Sequence, residues 1–186
     1  MVVTDDAAVA ERVRWLRNVG QRGRSEHVVR GTNSRLDSLQ AAVLSVKLPH
    51  LDERNRRRRA HAARYAALLA DAGVVTPDPA PAHVFHLYVV RSPRRDALRA
   101  HLAASGVETG IHHPAPVHLL PAYRDLGYAP GAFPVAERLA GEILSLPMYA
   151  ALAPSQIERV AATVREFSRP APRGPGGGGP PASRPT

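Results

Sequence analysis

The sequence contains no cysteine, which excludes disulfide bonds and thiolate metal sites. No apolar run approaches the roughly 20 residues that a membrane-spanning helix needs. The first six residues, Met-Val-Val-Thr-Asp-Asp, lack the basic and apolar regions of a signal peptide. We therefore expect a soluble, cytoplasmic protein with no membrane partner. The length of 186 residues suffices for one domain with a sizeable core.

Lysine is almost missing, although the formal net charge is +9. Lys47 is the single lysine, and every other basic residue in that count is arginine. This usage is typical of a GC-rich genome, so the charge is weak evidence for a nucleic-acid partner. The arginine run within 54–59 has no interleaved aromatic residues that could stack on bases. We therefore expect no nucleic-acid binding.

The segment from Gly31 to Ala42 combines a turn with a helix start. Asn33 and Arg35 are expected directly at the start of the helix, where Ser34 with Asp37 fits a capping box. A helix start offers unpaired N–H groups and a partial positive charge, which suit a phosphate. The residues alone leave two interpretations open, a phosphate site and a well-capped core helix. The apolar face expected for this helix consists of Leu36, Leu39, Val43 and Val46.

Helices and strands are predicted to alternate along the chain. We expect a strand ending at Val2-Val3 and a helix that Thr4 caps, followed by a polar loop over 20–33. The next helix runs over 36–48, Pro49 kinks or ends it, and a long helix then reaches Ala72. Strands are expected at 83–90, 107–111 and about 144–146, with helices at 94–104, 135–143 and 155–167. Residues 168–186 are rich in Pro and Gly and predict a disordered tail.

Helical spacing also predicts which side chains are buried. The expected inward residues are Val9, Val13, Leu16, Leu51, Tyr65, Leu68, Leu69, Leu98, Leu102, Val135, Leu139, Ile143, Ile157, Val160, Ala161, Val164 and Phe167. If the helices over 5–17 and 36–48 normally pack on elements outside this chain, Val9, Val13, Trp15 and Leu16 should be partly exposed in the isolated chain. Ser92 followed by Pro93 predicts the N-cap and first turn of the helix over 94–104.

Several short motifs occur in a familiar order. They are Trp15-Leu16-Arg17-Asn18, Gly31 to Ala42, Lys47-Leu48, His86 to Val90, Gly106 to Pro114, Pro116 to Leu119, Phe133 to Glu137, and Leu144 to Met148. From Val2 to about Phe167 the chain resembles the C-terminal part of a sugar aminotransferase of the DegT/StrS type. These enzymes use pyridoxal 5'-phosphate (PLP) and have the aspartate-aminotransferase fold, PLP fold type I.

The resemblance implies an α/β fold. It comprises a small C-terminal domain, with a short antiparallel sheet covered by helices, and a strand-helix remnant of the large domain. Residues 1–33 would be the remnant of the PLP-binding domain, 34–72 linking helices, 73–167 the small domain, and 168–186 the tail.

The resemblance also implies site residues. Asn33 takes the place of the asparagine that reaches across a dimer interface to the cofactor phosphate, with Arg35 beside it. His112 and His113 take the places of a His-Tyr pair that faces the sugar, so His113 replaces a tyrosine. His118 is a further substrate-binding candidate. No metal is expected, because these histidines lack further ligands at the required spacing.

The family's catalytic residues are not expected in this chain. Aminotransfer through PLP needs a lysine that binds the cofactor covalently and a carboxylate on its ring nitrogen. Lys47 lies about 14 residues beyond Asn33, which is roughly 20 Å at helical rise. We therefore interpret the chain as the C-terminal portion of the enzyme, inactive alone. In the full enzyme a homodimer would aminate a keto group of a nucleotide-linked deoxysugar, with glutamate as the usual donor. A decayed or repurposed fragment that only binds a partner is the alternative.

Overall fold

The computed structural model describes residues 2–80 and 82–169 of the 186-residue chain. All but the first two residues of the predicted disordered tail therefore lie outside the described residues. The described helices and strands are α1 (Ala7–Arg17), β1 (Gln21–Arg22), β2 (Glu26–His27), α2 (Ser38–Lys47), α3 (Leu51–Leu69), β3 (Tyr88–Arg91), α4 (Arg95–Ala104), α5 (Pro134–Glu142), β4 (Ile143–Leu146) and α6 (Pro154–Ser168). The α/β class predicted from the sequence is confirmed.

The chain divides into two compact units, with the boundary between Leu51 and Asp52. The first unit contains α1, α2 and a small hairpin of β1 and β2, and the second contains the remaining elements from Asp52 onward. The boundary falls inside the stretch predicted as linking helices, 34–72. The division into domains at 33 and 72 stays a prediction.

The N-cap of α1 is Asp6, two residues after the cap expected at Thr4. The Asp6 carboxylate accepts hydrogen bonds from the N–H groups of Ala8 and Val9 at 2.8 and 3.1 Å. The Thr4 hydroxyl accepts from the Asp6 N–H at 3.1 Å instead, so it supports the cap rather than forming it. Val2 and Val3, predicted to end a strand, have no strand pairing within residues 2–80 and 82–169.

The capping box expected at the start of α2 is wrong. Asp37 is itself the N-cap, and its carboxylate accepts from the Leu39 N–H at 2.8 Å. Ser34 is excluded from that role because it lies four residues before the first helical residue, Ser38. At the other end, Pro49 lies in a single 3-10 turn, Leu48–His50, which connects α2 to α3.

The core lies in the second unit, between a two-stranded sheet and three helices. Strands β3 and β4 pair antiparallel, with Tyr88 opposite Leu146 and Val90 opposite Leu144. Their inward side chains pack against α3, α4 and α6. The fully buried large side chains are Tyr65, Leu69, Tyr88, Val90, Leu98, Leu102, Leu144, Ile157 and Val164. The predicted apolar faces of α4 and α6 are therefore confirmed.

Two of the predicted strands are shorter than expected. The strand predicted over 83–90 begins only at Tyr88, because Phe85 has a positive φ of 49° and its N–H donates to the His83 ring at 2.8 Å. A left-handed residue interrupts a strand. The strand predicted over 107–111 is reduced to a single antiparallel bridge between Gly110 and Ser145.

Side chains of α3 form hydrogen bonds with backbone carbonyls of the segment that follows β4. The Tyr65 hydroxyl donates to the Pro147 carbonyl at 3.1 Å, and Arg58 donates to the Met148 carbonyl at 3.2 Å. His61 Nε2 lies 3.3 Å from the Ala150 carbonyl. Positions 58, 61 and 65 share one helical face, so this face fixes where the chain leaves the sheet.

Several expected boundaries and buried positions are wrong. Helix α3 ends at Leu69 rather than Ala72, and Ser92 accepts from the Arg94 N–H while α4 starts at Arg95. Val9 and Leu16 are exposed, as expected for the isolated chain, and the other positions predicted as inward that are exposed are Leu36, Leu39, Val43, Val46, Leu51 and Val135. Seven of these eight exposed positions, all but Val135, lie in the first unit, where the described residues contain no buried hydrophobic side chain.

Candidate functional site

The loop from Asn18 to Ser34 folds back onto the C-terminal end of α1. The carbonyl of Leu16 accepts from the Thr32 N–H, and that of Arg17 accepts from the Ser34 N–H, both at 2.8 Å. These bonds satisfy carbonyls that a helix end leaves unpaired. Asn33 lies between the two donors, so its backbone is fixed on both sides.

Two glycines allow this close approach. A Cβ on Gly31 would lie 2.3 Å from the Gly20 nitrogen and 2.6 Å from the Leu16 carbonyl oxygen. A Cβ on Gly20 would lie 1.7 Å from the Val29 carbonyl oxygen, and Gly20 also has φ of +81°. Side chains at either position would push the loop away from α1, so the glycines determine where Asn33 lies.

Asn33 and Arg35 form a joint group of hydrogen-bond donors. Arg35 Nε donates to Asn33 Oδ1 at 3.0 Å, and both residues are exposed. Because Oδ1 accepts this bond, the Nδ2 group of the amide remains as a donor beside the guanidinium. An amide and a guanidinium in this arrangement suit the oxygens of a phosphate.

The N-terminus of α2 contributes less to anion binding than the sequence predicted. Asn33 and Arg35 lie in the extended segment before α2 rather than in its first turn. The Asp37 carboxylate occupies the N-terminus of the helix and places a negative charge there. The anion-binding capacity of this segment therefore comes from the two side chains, not from the helix dipole.

His112 lies just after the bridge between Gly110 and Ser145. Its Nδ1 atom is 2.8 Å from the Ser145 hydroxyl oxygen. Ser145 is buried within β4, whereas His112 is exposed. One side of the imidazole is thus held by the sheet, and the rest of the ring is accessible to a ligand.

His113 has a left-handed backbone conformation, with φ of 67°, immediately before Pro114. This conformation is uncommon for any residue other than glycine, and a following proline disfavours it further. The side chain is exposed. Strained backbone of this kind is typical of ligand-contacting segments.

His118 is the least accessible of the three histidines, with 9% of its side chain exposed. Its Nε2 atom lies 3.1 Å from Glu137 Oε1, in an ion pair when the ring is protonated. The ring packs edge-on against Phe133 at a centroid distance of 4.7 Å, and Tyr128 packs against Phe133 at 5.0 Å. His118 therefore belongs to a packed cluster that closes the loop before α5.

Glu137 organises that loop. Its carboxylate accepts from the Gly131 N–H through both oxygens at 2.9 Å and from the Phe133 N–H at 3.1 Å. These backbone donors, first Gly131 and then Phe133, together with His118, hold the pKa of Glu137 below its usual value.

The structure does not bring the candidate residues into one demonstrated site. Asn33 and Arg35 belong to the first unit, while the histidines belong to the second. Among the described residues, no group of three or more His, Cys, Asp or Glu side chains could hold a metal ion. Within the same ranges, no helix is both long and apolar enough to cross a membrane.

The model of the DegT/DnrJ/EryC1/StrS aminotransferase family matches residues 1–165. The chain belongs to this family. The resemblance seen in the sequence motifs is thereby confirmed.

Two curated proteins illustrate the similarity of this chain to its relatives. The erythromycin biosynthesis sensory transduction protein EryC1 of Saccharopolyspora erythraea is 53% identical over 167 residues, which are 88% of this chain and 46% of that protein. The dTDP-3-amino-3,4,6-trideoxy-alpha-D-glucose transaminase of Streptomyces venezuelae is 48% identical and is covered to 45%, with 90% of this chain aligned. This chain therefore spans about half the length of these relatives.

Solved structures of the family have the same fold. DesV of S. venezuelae, in complex with a ketimine intermediate, superposes with a TM-score of 0.87 at 47% identity, over 91% of this chain and 47% of that one. A family aminotransferase from Brucella abortus gives a TM-score of 0.82 at 37% identity, over 89% and 45%. The predicted aspartate-aminotransferase type of fold is confirmed.

Three residues around the candidate histidines were not singled out from the sequence. The Ser145 hydroxyl contacts His112, Gly110 leaves the space that the His112 ring occupies, and Glu137 contacts His118. A signal for Ser145 did exist, because a serine between two leucines in a buried strand is a polar group that needs a partner. No comparable local signal marks Glu137, since its partners are backbone groups of the preceding loop.

Proposed function

We propose that this chain supplies the C-terminal portion of a PLP-dependent aminotransferase that acts on a keto group of a nucleotide-linked deoxysugar. Bound PLP supplies the electron sink through which an amino group moves between substrates. The Asn33–Arg35 pair carries the proposal, because its fixed backbone and exposed donors fit the cofactor phosphate. The family's relatives named above support the substrate class.

The proposal assigns roles to the two units. Residues 1–33 would complete the PLP-binding domain, with Asn33 and Arg35 donating to the phosphate held by the other subunit of a homodimer. Residues 34–72 would link it to the small domain, 73–167, whose His112, His113 and His118 contact the sugar nucleotide. Glutamate is the proposed amino donor.

A hybrid enzyme tests this proposal. The matched part of the S. venezuelae transaminase, 48% identical to this chain, is replaced by residues 1–169, and PLP is titrated into the hybrid. Asn33→Ala removes a hydrogen bond to a charged group, worth about 1.5–3 kcal/mol, so cofactor affinity should fall about 10- to 150-fold. Asn55→Ala on α3 is the matched control and should leave the affinity unchanged.

The outcomes separate the two functional classes. If Asn33→Ala leaves PLP affinity unchanged, the phosphate role is wrong. If the hybrid folds but neither binds PLP nor turns over a keto-sugar nucleotide, the chain is the non-catalytic fragment that the sequence left open as the alternative.

We further propose that the isolated chain does not catalyse transamination. Its single lysine, Lys47, is the exposed last residue of α2 and lies in a helix rather than beside the Asn33–Arg35 pair. Borohydride treatment with PLP, followed by mass spectrometry, should find no stoichiometric pyridoxyl group on Lys47. A stoichiometric, site-specific modification there would contradict this proposal.

A further inference from the structure

His112 and the two residues that hold it are joined by one backbone bridge. The Gly110 N–H donates to the Ser145 carbonyl at 3.1 Å, and the Ser145 N–H donates to the Gly110 carbonyl at 2.7 Å. Ser145 also pairs with Val89 of β3, so it lies in the centre of the sheet. The position of its hydroxyl is therefore determined by the core and not by the exposed segment that carries His112.

The hydrogen bond between Ser145 and His112 has a preferred direction. Ser145 is only 5% exposed, and among the described residues His112 is the hydrogen-bond partner found for its hydroxyl. If Nδ1–H donated, the buried hydroxyl proton would have no acceptor, which is unfavourable. If the hydroxyl donates to Nδ1, the buried hydroxyl proton is paired. The imidazole proton then resides on Nε2.

Gly110 provides the space for this arrangement. A Cβ at position 110 would lie 2.7 Å from Cε1 of His112 and 3.3 Å from its Nδ1. The φ angle of Gly110 is not in the left-handed region, so alanine suits the backbone there. A side chain at this position would displace the ring and not the strand.

We propose that Ser145 and Gly110 position His112 as a hydrogen-bond donor, with Nε2–H directed to an acceptor oxygen of the substrate. That oxygen would be the keto or a hydroxyl oxygen of the sugar, and this part rests on the proposed function. Ser145 and Gly110 are positioning residues, since they act through His112.

The first test measures the tautomer of His112 by NMR. The full 186-residue chain, made monomeric by Leu39→Glu and Val46→Glu on the exposed surface of α2, is labelled with ¹⁵N, and the ring signals are assigned by comparison with His112→Gln in the same background. At about pH 8.5, where free imidazole is neutral, His112 should be almost entirely the Nε2–H tautomer. The exposed His27 serves as the internal reference. A predominant Nδ1–H tautomer in the wild type would overturn the proposal.

Two variants should disturb His112 by independent routes. Ser145→Ala removes the hydroxyl, and Gly110→Ala displaces the ring while the hydroxyl stays. Both should bring the tautomer ratio of His112 close to that of His27. Ser145→Thr keeps a hydroxyl in a strand position and should retain the wild-type ratio. Ser92→Ala, at the second buried serine, is the control for general loss of packing. If all four variants give the wild-type ratio, the proposal is wrong.

The hybrid enzyme separates this proposal from the proposed function. Loss of one positioned hydrogen bond should raise KM for the keto-sugar nucleotide about 3- to 10-fold in Ser145→Ala, with PLP affinity unchanged. If the tautomer changes as expected but KM does not, His112 is positioned as proposed and does not bind the sugar. If KM changes and the tautomer does not, Ser145 acts by another route and the positioning role is rejected.

Discussion

Two core tyrosines differ in whether their hydroxyl groups have a hydrogen-bond partner. Tyr65 and Tyr88 stack at a centroid distance of 4.8 Å, and the Tyr65 hydroxyl donates to the Pro147 carbonyl at 3.1 Å. The Tyr88 hydroxyl is buried and has no partner at hydrogen-bond geometry among the described residues. Burial raises the pKa of both groups, that of Tyr88 to about 12, although Thr76 nearby partly lowers it.

Removing each hydroxyl should therefore have a different effect. Tyr65→Phe leaves a buried carbonyl without its donor and should lower the free energy of unfolding by about 1 kcal/mol. Tyr88→Phe removes an unpaired buried hydroxyl and should be neutral or slightly stabilising. Urea denaturation of the two variants checks this. The opposite order would mean that Tyr88, not Tyr65, has the stabilising hydrogen bond.

We expect the loop that Glu137 holds, just before α5, to lose stability at acidic pH. Its folded pKa lies below the value of 4.5 for the free carboxyl, so its stabilising contribution is present above that pH and is lost as pH falls through the folded pKa. The thermal midpoint should decline below about pH 4.5, and Glu137→Gln should remove part of the decline.

Glu53 provides the matched control for Glu137. Arg57 and then Arg56 lower its pKa on the exposed face of α3. Glu53→Gln should also reduce the acid sensitivity, but only Glu137→Gln should increase proteolysis of the segment 117–133 at neutral pH. Equal protease resistance of both variants would contradict the role assigned to Glu137.

At the scale of elements, the glycines of the 18–34 loop determine its contact with α1. Gly31→Ala would place a methyl group 2.3 Å from a backbone nitrogen, so we expect the loop to detach and trypsin to cleave faster after Arg22, Arg24 and Arg30. Gly23 also has a positive φ, of 70°, but a Cβ there meets nothing within 4 Å. Gly23→Ala should thus show the cost of the φ angle alone. Equal cleavage rates for the two variants would exclude the proposed steric cause.

At the scale of the whole molecule, α2 presents apolar side chains without a partner in the described chain. Leu39 and Val46 are 75% and 71% exposed, and a helix that is apolar on much of its surface normally lies inside a larger protein. Such a patch promotes association. We therefore expect the isolated chain to oligomerise or aggregate on size exclusion.

The double variant Leu39→Glu/Val46→Glu should shift the chain toward the monomer. Val135→Glu, at an exposed position of α5 in the second unit, is the matched control and should leave the association unchanged. A sharp monomer peak for the wild-type chain, with cooperative melting, would show that the exposed α2 side chains do not drive association.

Local patterns in the sequence determined the presence and approximate extent of the helices, because prolines and apolar spacing act within a few residues of each other, but the caps predicted at Thr4 and Ser34 were wrong. They also made Asn33 and Arg35 candidates, whereas the three candidate histidines came from the resemblance to the family. Only the tertiary structure decided that Asp37 caps α2, because loop-to-α1 bonds keep residues 32–34 extended. It likewise reduced the strand at 107–111 to one bridge. The contacts of His112 with Ser145 and of His118 with Glu137 join residues 33 and 19 positions apart, and packing, not spacing along the chain, creates such contacts.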